Sequence, residues 1–251
     1  MASNVATADG LSAPAGLSQG ARVINTFIAP SSTFRDILRS QSWWLPFLLI
    51  ALSALASAYT VQHQVGFDRV TANQIHASPK REDALSQLPP EQRARQLAIG
   101  AKFTAGITYA MPMILLIVTA LYALVLWGCF NFLLGSSTKL SQVFAVNIYA
   151  MLPYLVVTLL TIISLYLGGN AEAYDYKYPV GTNLGYFLPD VAPWLRALLG
   201  RFDLIQLWSL GLTVLGMAIV AKKTIMQSAM VVVSFWLLVT LITAAGGAFA
   251  G

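Results

Sequence analysis

Charge is what this chain has least of. Only 10% of its 251 residues are Asp, Glu, Lys or Arg, against roughly 25% in an ordinary soluble domain. So few polar side chains cannot cover a water-facing surface, which excludes a soluble globular enzyme. A single cysteine, Cys129, excludes an intramolecular disulfide framework. With only two histidines, His63 and His76, the sequence also offers no Cys/His zinc site. A net charge of +5 is too small for the electrostatic footprint of a nucleic-acid binder. What is abundant is apolar: 57% of residues are hydrophobic, with a mean hydropathy of +0.68. Disorder needs the opposite composition and is excluded for the bulk of the chain.

Every charge falls outside five long apolar stretches. These run from about Trp43 to Val61, Phe103 to Leu134, Phe144 to Leu167, Leu204 to Ala221 and Ile225 to Phe249. Each approaches or exceeds the roughly 20 apolar residues that a helix needs to cross ~30 Å of hydrocarbon. In lipid a helix satisfies each backbone N–H and C=O within its own segment. A β-barrel would need alternating stretches of about 10 residues, and none is present. Five buried helices in a soluble core would need amphipathic helices to cover them, and the chain has no such material. The expected fold is all-α: a polytopic membrane protein of five transmembrane helices with short interfacial amphipathic helices.

The connecting segments are readable too. Residues 1–20 are rich in Ala, Ser and Gly, with one charge and no apolar h-region. They read as a disordered tail rather than a signal peptide, and residues 21–251 as one membrane domain. Thr33 and Asp36 have capping-box spacing. Phe34, Ile37 and Leu38 after them share the face of a short helix expected in the headgroup region. Trp43 and Trp44 stand where an interfacial aromatic belt anchors the first span. The loop from about Gln62 to Lys102 reads as a solvated hairpin, with Ser78-Pro79 starting one short helix and Pro89-Pro90 the next. Glu91 and Arg95 are spaced as an i,i+4 pair on the second helix, which is expected to run on into the second span. The loop from about Gly168 to Asp203 is rich in Tyr, Trp and Leu, and is expected to lie on the membrane surface.

Charge counting leaves orientation open. With the N-terminus in the cytosol, six basic residues lie on that side and nine opposite, against the positive-inside rule. The very short loops holding Lys139 and Lys222-Lys223 favour the same arrangement.

Ionisable residues within spans mark transport, proton relay or voltage sensing, and these spans have none. There is no H-E-x-x-H, P-loop or G-x-G-x-x-G motif. The candidate positions are therefore uncharged. Asn131 and Asn147 lie near the facing ends of the second and third spans, with Thr158, Thr161, Ser164, Gln206 and Ser209 further along. They suit either a hydrophilic path or, more plainly, interhelical hydrogen bonds. Pro112 and Pro153 each remove a backbone donor and are expected to kink the second and third spans. Such kinks shape packing, or mark binding sites between discontinuous helices. Cys129 reads as a small apolar filler.

Several stretches together resemble the Yip family of Ypt/Rab-interacting membrane proteins, in its small bacterial branch. They are the lead-in from Phe27 to Phe34, Trp43-Trp44-Leu45-Pro46, the segment Asn147 to Pro153, Thr182-Asn183-Leu184-Gly185, and Phe202 to Leu212, with Gly216 and Lys222-Lys223 beyond. The likeness extends from about Ile24 to the C-terminus. It implies an N-terminus in the cytosol, a C-terminus across a bacterial inner membrane, and no catalytic residues. The expected function is non-enzymatic organisation of protein or lipid partners in the membrane. The alternative is a permease-like protein or transporter subunit for an uncharged or amphiphilic solute. The expected partners are the lipid bilayer, an unidentified membrane or cytosolic protein, and a second copy of the chain as a homo-oligomer. No cofactor, metal or nucleic acid is expected.

Overall fold

Among the described residues, five helices or helix pairs are long and apolar enough to cross a bilayer. The computed structural model describes residues 16–169 and 171–250. The tail expected over residues 1–20 lies outside them as far as residue 15, and helix has begun by Gln19. Among the described residues there are no strands, and one isolated bridge joins Asn183 to Asp203.

Two short helices open the fold: α1 (Gln19–Ile28), capped by the Ser18 hydroxyl, and α2 (Pro30–Arg39), which begins on a proline. The first span, α3, covers Trp44–Gln64. Helices α4 (Phe67–His76) and α5 (Pro79–Ser86) follow, and α6 runs from Pro90 to Gly128, unbroken through Pro112. A π-helical turn, Cys129–Leu133, ends the second span.

The third span is two helices, α7 (Leu140–Ala150) and α8 (Tyr154–Tyr166). Pro153 has no N–H to continue the i→i−4 ladder. The backbone tightens there, with Leu152 donating to the Tyr149 carbonyl and Tyr154 to the Met151 carbonyl at 3.1 and 3.0 Å. After the second long loop, with α9 (Leu184–Phe187) and α10 (Pro193–Leu199), come the last two spans, α11 (Leu204–Ala221) and α12 (Ile225–Ala250).

The five spans alternate in direction, so the α1–α2 hairpin shares one end of the bundle with the α6–α7 and α11–α12 connections. Helices α4 and α5 and the long α8–α11 loop occupy the other end. The core at the hairpin end gathers Phe34 and Ile37 of α2 with Leu126, Phe130, Val143 and Met217. At the opposite end Val61, Phe67, Val70, Leu165 and Tyr174 form a second cluster. Between α11 and α12 the buried Ser228 hydroxyl donates to the Val214 carbonyl at 2.7 Å. Outward faces expose Leu121, Leu159, Leu241 and Ile242, as lipid-facing helices do.

Three local expectations need correction. The Thr33–Asp36 capping box does not form, because Thr33 lies inside α2, whose N-cap is Ala29. Thr33 donates to the Arg22 carbonyl at 2.9 Å instead, and Asp36 pairs with Arg22. Phe34 and Ile37 turn toward the bundle rather than the headgroups, because α11 and α7 offer them a drier surface. Glu91 and Arg95 form no ion pair. At that helix start Arg93 donates to the Leu85 and Ser86 carbonyls, closing the α5–α6 turn.

The loop around Gln62 to Lys102 is also less solvated than expected, since α4 packs Phe67 and Val70 against α6. The second long loop folds onto the protein as well. Arg196 reaches Asp175 at 2.9 Å and lies over the Tyr178 ring at 4.5 Å, while α10 packs on α12. Burial pushes the Tyr174 hydroxyl above its ordinary range.

Candidate functional site

Two features stand out: a lock that fixes the N-terminal hairpin, and a cavity between the spans. The lock centres on Arg22, whose side chain is wholly shielded from solvent. Its Nε donates to Asp36 Oδ2 at 2.5 Å, and its Nη1 donates to the Ser40 carbonyl at 2.8 Å. Asp36 also accepts from Arg39 Nε at 2.9 Å. Burial alone would raise the Asp36 carboxyl, but hydrogen bonds from Arg39 and Arg22, and their positive charge, outweigh it and hold it below the usual 3.8. Asp36 in turn raises Arg39. From the bundle, the Tyr149 hydroxyl of α7 reaches Gln19 Oε1 and the Ser42 carbonyl, both at 3.2 Å. Gly216 of α11 lets the surfaces meet, since a Cβ there would lie 2.6 Å from Val146 and 3.0 Å from Phe34.

The fixed hairpin leaves Ile24, Ile28 and Leu38 on its outside, with Arg35 and Arg39 also exposed. Exposed apolar groups and cations on the two short helices are the pattern of a segment that meets a lipid interface.

The cavity encloses about 540 Å³ and touches all five spans. Its walls are mainly apolar, from Ile50, Leu115, Leu155, Leu210 and Val239. Several polar groups on it are satisfied by their own helix: Ser53 donates to the Ile50 carbonyl, Thr158 to Tyr154 and Thr213 to Ser209. Trp236 also lines it, with its Nε1 buried in the surrounding protein and without a hydrogen-bond partner. Arg201, at the end near the long loop, is the charged residue on the lining.

The candidate residues separate. Asn147 lines the cavity and donates from Nδ2 to the Val143 carbonyl at 2.9 Å. Pro153 sits in the helix break between Met151 and Tyr154, both of which line it. Thr158, Gln206 and Ser209 line it too, whereas Thr161 and Ser164 do not. Pro112 stays within α6, off the lining. Asn131 lies elsewhere, in the π-helical turn. Its Oδ1 accepts from the Thr138 amide and hydroxyl and from Ser136, and its Nδ2 donates to the Thr138 carbonyl. It holds the α6–α7 connection. Cys129 opens that same turn, half-buried.

Sequence reasoning missed Arg22 and Arg201, which entered it only in the count of basic residues on the two sides. No signal in the sequence set Arg201 apart, because the nearby Asp203 caps α11 instead of pairing with it. Among the described residues no group of three His, Cys, Asp or Glu side chains could hold a metal ion.

Five apolar spans with short helices packed at both ends define a polytopic α-helical integral membrane protein. The Yip1 domain family model matches residues 24–246, most of the chain, and the chain belongs to that family. Comparison with curated proteins and with solved structures gives no match.

Proposed function

We propose that this Yip1-family chain is a non-enzymatic membrane protein that organises lipid or protein partners at one bilayer face. In this reading the N-terminal hairpin lies at the cytosolic face of a bacterial inner membrane, with the C-terminus across it. The observation that carries it is the buried Arg22–Asp36 pair. Burying an arginine carries a large desolvation penalty, and such pairs serve to fix one geometry more than to add stability. Here the geometry fixed is that of an exposed surface bearing Ile24, Ile28, Leu38 and Arg35. A flexible arm would not need the lock. Photocrosslinkers at Ile28 and Leu38 in native membranes should capture a reproducible lipid or protein set, and recovery of nothing reproducible would overturn the proposal.

One observation favours a second reading, passage of an uncharged or amphiphilic solute: Asn147, Thr158, Gln206 and Ser209 face one cavity beside the Pro153 break. Flux into proteoliposomes that is lost in Asn147→Leu would support it, and no flux across a broad solute panel would remove it.

A further inference from the structure

The cavity differs from an ordinary packing defect in its size, its depth and its single charge. At about 540 Å³ it lies within the roughly 300–1,000 Å³ of small-molecule sites. From Leu204, the first residue of α11, to Thr213 on the wall is about 13 Å at ~1.5 Å per residue. That is a little under half of the ~30 Å hydrocarbon thickness, the depth of one leaflet. The walls are those of a slot for hydrocarbon: Ile50, Leu115, Leu155, Leu210 and Val239.

Arg201 stands at the leaflet's headgroup end. It donates to Thr243 Oγ1 at 3.2 Å, and among the described residues no carboxylate lies within ion-pair distance of it. Asp203, the nearest acid in sequence, is already committed: Oδ2 accepts from the Thr182 hydroxyl, and Oδ1 from the Ile205 and Gln206 amides. An unpaired guanidinium calls for phosphate oxygens, and an apolar slot one leaflet deep for an acyl chain. One class of molecule supplies both.

We propose that the cavity binds one anionic phospholipid from the leaflet on the Arg201 side. Its acyl chain fills the slot and its phosphate sits on Arg201. The site is the cavity of the second reading, but the proposal requires no passage of a solute and stands or falls apart from it.

The test uses the full chain in nanodiscs doped with phosphatidylglycerol carrying a photoreactive acyl chain, or with the matching phosphatidylcholine, and maps adducts by mass spectrometry. The expected result is saturable labelling of Leu115, Leu155 and Val239, favouring phosphatidylglycerol by about fivefold, which corresponds to ~1 kcal/mol for one cation. Arg201→Gln should bring the two lipids level and Arg201→Lys retain most of the preference. Ser209→Phe, which fills the slot, should remove cavity labelling while outer-face labelling at Leu241 persists. Adducts confined to Leu121 and Leu241, or equal labelling by both lipids in the wild type, would overturn the proposal. Cavity adducts without solute flux would leave this site standing and remove the second reading. Flux without cavity adducts would do the reverse.

Discussion

Arg22 and Asp36 lie on separate helices, yet the guanidinium Nε of one sits 2.5 Å from a carboxylate oxygen of the other, inside the protein. Removing one partner of a buried pair strands the other charge, which costs about 3–5 kcal/mol, whereas replacing both by apolar groups is often close to neutral. Asp36→Asn should therefore undock the hairpin, read as fast amide exchange over residues 19–39 in detergent. The double change Arg22→Met with Asp36→Leu should restore most of the protection.

The same pair sets a pH response. Because the folded Asp36 carboxyl is held below 3.8, its contribution is complete above that value and is lost as pH falls through the lower folded value. Protection of the amides over residues 19–39, corrected for the pH dependence of intrinsic exchange, should hold from pH 7 to about pH 4 and fall below 3.8. Asp36→Asn should show no such acid step.

Gly216 and Gly211 make a matched contrast on α11. A side chain at Gly216 meets Val146 and Phe34, whereas nothing lies within 4 Å of the corresponding position at Gly211. Gly216→Val should destabilise by about 1–3 kcal/mol through overpacking. Gly211→Ala should stabilise by about 0.5–1 kcal/mol through helix propensity. Denaturation of the detergent-solubilised protein checks both.

Lys222 is the described non-glycine residue with positive φ, at φ 53° and ψ 43°, where α11 ends and the Lys223 amide returns to the Ala218 carbonyl at 3.0 Å. An L side chain in that region carries a penalty of roughly 1–2 kcal/mol that glycine avoids. Lys222→Gly should raise the thermal midpoint, and Lys222→Ala should not.

Asn131→Ala should destabilise by about 1–3 kcal/mol, because the Thr138 amide and hydroxyl lose their acceptor. Lipid labelling in the cavity should be unchanged, which separates a residue that holds a turn from those that line the slot.

The spans were legible because twenty apolar residues without a charge have one economical solution in lipid, and several boundaries lie beside a charge or a proline. Pro89-Pro90 and Asp203 mark where α6 and α11 begin, and Pro153 marks the break between α7 and α8. The lock was not legible, since Asp36 finds its partner on another helix while its local spacing to Thr33 imitates a cap. Asn131 and Asn147 read alike in sequence and diverge in space: one closes a turn on Thr138, the other faces the cavity. Arg201 could not be separated from the other loop charges, because what distinguishes it is the acid it lacks, a relation fixed by Asp203 turning to Thr182.

The lock and the surface it fixes are tested together by photocrosslinking at Ile28 in native membranes, comparing the wild type with Asp36→Asn. The prediction is a reproducible set of lipid or protein adducts in the wild type that is lost once the hairpin undocks. An identical set in Asp36→Asn, with the hairpin shown by amide exchange to be free, would contradict it.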